Sequence, residues 1–85
     1  MITIRALLDR IRWDREYGRG TFALGYYDRL AGRIIIVPFA AVRFDPDDHF
    51  SFLLCDAVGA AHTIPLHRVC AVYRDGELIW QRQHR

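Results

Sequence analysis

The chain has 85 residues, 52% of them hydrophobic and 26% charged, with three prolines and a formal net charge of +2. That length gives one small domain, near the size at which a single core becomes marginal, and the composition excludes a low-complexity or disordered chain. The slight positive charge excludes a protein that coats duplex nucleic acid through a dense basic face, and it leaves room for a focused anion site.

All 12 basic residues are arginine and asparagine is absent, which reads first as the coding bias of a GC-rich genome. Each arginine is still a rigid, permanently charged fork that can hold a phosphate through two hydrogen bonds. Cys55 and Cys70 stand in apolar, strand-like surroundings without C-x-x-C spacing, and are expected to be buried reduced thiols in a cytoplasmic protein. Arginines interrupt the apolar N-terminal stretch MITIRALLDRIRW and no apolar run is long enough to cross a bilayer, so neither export nor membrane association is expected.

Ile4, Leu7, Leu8 and Ile11 recur at helical spacing, with Arg5, Asp9 and Arg12 on the other side. The spacing predicts an amphipathic helix over residues 3–12, capped by Thr3. WDREYGRG then supplies charges and glycines that end the helix in a loop, with Trp13 at the junction.

In TFALGYY (21–27) Phe22, Leu24 and Tyr26 alternate with smaller residues as in a half-buried strand, which sets Tyr26 and Tyr27 on opposite faces. DRLAG turns the chain back. RIIIV (33–37) is apolar on both faces and predicts a central or doubly covered strand that Pro38 stops. PFAAV suits a helical turn and DPDD a solvated loop.

HFSFLLCD (49–56) predicts a strand with Phe50, Phe52 and Leu54 on one face, joined through AVGA to the short strand AHTIP. RVCAVYR and ELIWQR flank Asp75-Gly76, a pair of residues that both tolerate positive φ and so mark a two-residue hairpin. The expected fold is α+β, a single domain over residues 1–85. Its N-terminal helix packs on one curved, mainly antiparallel sheet of five or six strands. Ile4, Leu7, Leu8, Ile11, Ile35, Phe52, Leu54 and Val72 are the expected core.

Chemistry-bearing motifs are few. His49, His62, His67 and His84 form no helical pair and no finger spacing, so no metal site is expected. Thr63 directly follows His62, whereas two-histidine phosphoesterases place a hydroxyl residue two positions after each histidine. No nucleophile elbow occurs either, and YGRG fits neither glycine-rich phosphate-binding motif.

The distinctive stretch is IPLHRV (64–69), where His67 and Arg68 set two cationic donors side by side. In a regular strand they point to opposite faces, and they can share one ligand only if the backbone bends, as Pro65 allows. Asp14 and Asp28 could equally bridge Arg68 in a structural ion pair, and the residues alone do not choose between that pair and an anion site.

The segments IRWD (11–14), GYYDR (25–29), IPLHRV (64–69) and DGELIWQR (75–82) resemble, in order and spacing, the RNA cyclic group end recognition domain family, classed as a domain of unknown function. The likeness spans nearly the whole chain. Its most specific part is IPxHR followed by a hairpin ending in Trp and Arg.

The resemblance implies an RNA-binding module that recognises ends bearing a 2′,3′-cyclic phosphate or a related terminal group, in RNA repair or processing. By motif it carries over Trp13, Asp14, Tyr27, Asp28, Arg29, His67, Arg68, Trp80 and Arg82. This chain departs in carrying no lysine and reads as a bare domain without the fused catalytic partners that some relatives have, so the expectation is that it acts by binding, with an RNA end and a separate RNA-processing enzyme as partners.

In that reading His67 and Arg68 bind the terminal phosphate, Arg29 adds charge at the rim and Tyr27 or Trp13 stacks on the terminal base. Asp14, Asp28 and Arg82 orient these groups, Ile79 and Trp80 build the hairpin core, and no cofactor is required. The alternatives are a small phosphodiesterase with His67 as acid or base and Arg68 stabilising the transition state, and a protein-interaction module without nucleic-acid affinity.

Overall fold

A computed structural model describes residues 2–82. The fold is α+β, with one N-terminal helix and two antiparallel sheets. Helix α1 spans Ile4–Trp13, and the Thr3 hydroxyl accepts a hydrogen bond from the Ala6 N–H at 3.2 Å, satisfying a donor that the first turn leaves without a helical acceptor. Ile4, Leu7, Leu8 and Ile11 all point into the core, as their spacing predicts.

Seven strands follow: β1 Phe22–Asp28, β2 Arg33–Pro38, β3 Val42–Arg43, β4 Ser51–Cys55, β5 Ala61–Pro65, β6 Val69–Arg74 and β7 Glu77–Gln81. They form a four-stranded sheet in the order β2-β1-β6-β7 and a three-stranded sheet in the order β3-β4-β5. This corrects the expectation of one sheet of five or six strands.

The division has a physical cause at two prolines. Pro38 and Pro65 lie at φ −66° and −63°, and each leads directly into a 3-10 turn, Phe39–Ala41 and Leu66–Arg68. A proline ends ladder bonding because it has no N–H to give, and the turn that follows aims the chain elsewhere. The chain leaves the first sheet at Pro38 and returns to it after Pro65.

The two sheets and the helix enclose one core, which includes Leu8, Leu24, Phe52, Val69 and Val72. Each of these five is at most 2% exposed. Tyr26 meets Phe52 edge to face at 6.2 Å between ring centroids. Trp80 is buried in β7, and its indole N–H donates to the Ile2 carbonyl at 2.9 Å, tying the end of the chain to its beginning.

The β6–β7 hairpin turns at Asp75 and Gly76, with φ of +51° and +84°, the paired positive values of the turn that matches strand twist. The Asp75 carboxylate also accepts from the Thr21 N–H at 2.8 Å, anchoring the hairpin tip beside the start of β1.

Three further expectations are corrected. RIIIV is not a doubly covered strand: β2 lies at the edge of its sheet, with Ile34 and Ile36 48% and 58% exposed and Ile35 packed inward. The helix and the second sheet cover only one face of the first, and an unbroken apolar run carries no sign of which face is open. Phe50 precedes β4 and is exposed, unlike Phe52 and Leu54. Cys55 is exposed at the end of β4, whereas Cys70 is the buried thiol that was expected; both are free. Ile79 is partly exposed beside the buried Trp80, because neighbouring strand residues face opposite ways.

Candidate functional site

The turn Leu66–Arg68 carries the His-Arg pair, so the bend after Pro65 is real. It is fastened from both sides. The Leu66 N–H donates to the Phe50 carbonyl at 2.8 Å, and the Arg82 guanidinium donates to the carbonyls of Leu66 at 2.6 Å and Val69 at 2.8 Å. Arg82 also lies 5.3 Å from the Trp80 ring centroid, so the last residue of the matched motif is a brace under the turn.

Arg68 is half-buried and forms part of the wall of a cleft of about 620 Å³ between the C-terminal end of β1 and the β4–β5 hairpin. Tyr27, Asp28 and Arg29 line the same cleft from β1 and its following turn, and Asp56, His62 and Thr63 from the hairpin. His67 is exposed on the turn and is not among the lining residues.

Both carboxylates of the cleft are engaged locally. Asp28 Oδ1 accepts from the N–H groups of Leu30 at 2.8 Å and Ala31 at 3.2 Å, shaping the β1–β2 turn, which closes through Gly32 at φ +66°. Asp56 Oδ1 accepts from Val58 at 3.0 Å and Ala60 at 2.9 Å, while its Oδ2 meets His62 Nε2 at 2.8 Å. The His62 hydrogen bond, helped by the Ala60 N–H, holds the Asp56 carboxyl below its ordinary value. Burial and then the Asp28 charge push the Tyr26 phenol up, so this cleft hydroxyl stays neutral.

Among the described residues, no ion pair joins Arg68 or Arg29 to a carboxylate. The alternative in which Asp14 or Asp28 bridges Arg68 is not what the fold contains.

Trp13 and Asp14 lie elsewhere. Trp13 is 73% exposed and, with Arg12, Phe44 and His49, borders a separate cavity of about 360 Å³. Asp14 accepts from the N–H groups of Glu16 at 3.0 Å and Tyr17 at 3.1 Å, a role in the loop after α1. Of the eight site residues expected from sequence, the cleft gathers Tyr27, Asp28, Arg29 and Arg68. His67 and Arg82 belong to the turn that carries Arg68, and Trp13 and Asp14 stand apart. Among the described residues, no group of three or more His, Cys, Asp or Glu could hold a metal ion, and His84 lies outside them.

Sequence reasoning missed His62 and Asp56. The available signal was the short AVGA connection, which places Asp56 and His62 across one hairpin, with Leu54 paired to His62 and Cys55 to Ala61.

A small α+β domain with two guanidinium groups and a tyrosine on one cleft, neither guanidinium ion-paired among the described residues, is suited to anion and nucleotide recognition. The chain belongs to the MJ1316 RNA cyclic group end recognition domain family, whose model matches residues 1–82. No match is found among curated proteins or among solved structures.

Proposed function

We propose that this domain binds RNA ends that carry a 2′,3′-cyclic phosphate or a related terminal phosphate, and that the cleft beside Arg68 is where it does so. Arg68 grips the phosphate oxygens with its planar fork, Arg29 adds the second charge at the rim, and the Tyr27 ring stacks on the terminal base. His67, exposed on the same turn, donates to the phosphodiester that precedes the terminal nucleotide.

The observation that carries this reading is that Arg68 and Arg29 line one cleft, while Asp28, next to Arg29 in the chain, holds its own turn through Oδ1. Family membership supports the ligand class. Holding such an end serves RNA repair or processing, with the chemistry on the end left to a separate enzyme.

The test is fluorescence anisotropy with one short RNA ending in cyclic phosphate, linear phosphate or free hydroxyl. The two phosphate ends should bind more tightly than the hydroxyl end, and Arg68→Ala should abolish the difference. Equal binding of all three ends would refute the proposal.

A further inference from the structure

The cleft contains one ordered imidazole that the reading above leaves unused. His62 lies on β5, which pairs antiparallel with β4, and its Nε2 is 2.8 Å from Asp56 Oδ2. Asp56 is itself immobilised, because its other oxygen accepts two backbone N–H groups of the β4–β5 turn. A carboxylate fixed at Nε2 makes that nitrogen the proton-bearing one in the neutral ring.

The remaining nitrogen, Nδ1, has no hydrogen-bond partner among the described residues. His62 lines the cleft, and a neutral Nδ1 can offer a phosphate oxygen only a lone pair, which repels it. When protonated, it is a donor carrying charge.

The other titratable and charged groups lining the cleft are Asp28 and Arg29 at the end of β1, Arg68 on the turn before β6, Tyr26 and Tyr27 on β1 and Cys55 on β4. Arginines do not titrate in the neutral range, so their attraction for phosphate is constant there. Asp28 holds its own turn through Oδ1 and contributes a negative charge to the cleft. An imidazole is the group in this set whose charge ordinarily changes between mildly acidic and neutral pH.

We infer that His62, oriented by Asp56, is a specificity-determining residue of the cleft: its protonated Nδ1 donates to a non-bridging oxygen of a cyclic phosphate end. Discrimination between that end and a hydroxyl end therefore strengthens as the pH falls. The inference rests on the proposed end-binding cleft. Cyclic phosphate is the informative probe because it keeps a single negative charge across the neutral range, whereas a linear terminal phosphate changes its own charge there.

The experiment measures anisotropy with cyclic-phosphate and hydroxyl ends of the same RNA, on the intact chain, from about pH 8 down to about pH 5.5, across the imidazole range. Preference for the cyclic end should rise roughly three- to ten-fold, as expected for one partly exposed charge-assisted hydrogen bond. His62→Gln should flatten the profile. Asp56→Asn, which can still shape the turn, should weaken the dependence, and thermal melts establish that both variants are folded.

A cyclic-end preference that does not vary with pH would overturn the role of His62 and leave the cleft reading intact. So would a dependence that survives His62→Gln and disappears in His67→Gln. If the wild-type domain shows no preference for the cyclic end at any pH, the cleft reading itself fails, and the inference with it.

Discussion

Arg82 is the residue through which the architecture of the turn can be tested most directly. Its guanidinium donates to the carbonyls of Leu66 and Val69 and lies over Trp80, while its own N–H pairs with the Cys70 carbonyl at 2.8 Å. Arg82→Ala removes the side-chain bonds and leaves the main-chain one. A hydrogen bond to a charged group contributes about 1.5–3 kcal/mol when it is well shielded, and the contact with the indole about 0.5–1 kcal/mol.

Arg82 is only half-buried, so the two side-chain bonds fall toward the lower end, but the residues that own the freed carbonyls, Leu66 and Val69, are buried. The expected loss is about 2–4 kcal/mol, which for a chain of this size corresponds to a fall in Tm of roughly 10–25 °C. Urea titration followed by tryptophan fluorescence reads the loss, and Arg82→Lys should fall between wild type and alanine because an ammonium cannot span both carbonyls. A stability of Arg82→Ala within about 0.5 kcal/mol of wild type would refute the view that this arginine braces the turn, since that is the ordinary scatter for surface substitutions.

Three further outcomes are expected. Arg68→Lys keeps the charge but loses the planar fork, so binding of a phosphate-ended RNA should weaken by about 1–3 kcal/mol while the melting curve barely moves; calorimetry and thermal melts measure the two separately. Phe52→Ala should cost about 3–5 kcal/mol in urea unfolding, because the ring is 1% exposed and stands edge-on to Tyr26 at the centre of the core. Asp56 has its folded pKa depressed, first by the His62 hydrogen bond. Its contribution to stability is therefore full above the ordinary carboxylate range and is lost as the pH falls through the lower folded value. Wild type and Asp56→Asn should differ at neutral pH and converge in acid, and parallel curves down to strong acid would contradict this.

What the sequence made legible was local. The helix followed from four apolar residues at helical spacing and a threonine ahead of them, and the hairpin from Asp75-Gly76; both features depend on neighbours a few residues apart. The division into two sheets was not legible, because the prolines at 38 and 65 say where a ladder stops and not where the chain goes next. The exposure of Ile34 and Ile36 was hidden for a related reason: edge position is a property of strand order, which three consecutive isoleucines do not encode.

The candidate site divided the same way. Pro65 and Arg68 could be read together within one short stretch, and Tyr27, Asp28 and Arg29 within another. That the two stretches border one cleft depends on β1 pairing with β6, a long-range choice. His62 became visible only through the register of β4 against β5 and the carboxylate that this register brings within reach. Trp13, within the segment IRWD, borders a different cavity from the one that Arg68 lines.

The exposed edge at β2 has a consequence for how copies of this chain meet when crowded. The outer main-chain groups of an edge strand can template a neighbour, and the isoleucines here would welcome one. The strand, however, runs from Arg33 to Pro38. If two copies aligned these edges head to head, Arg33 would face Arg33, and the like charges would push the ends apart. If they aligned head to tail, each ladder would meet at its end a proline with no N–H to offer. In either alignment the ends of the strand work against pairing, so this apolar edge is blunted on both sides of its four middle residues.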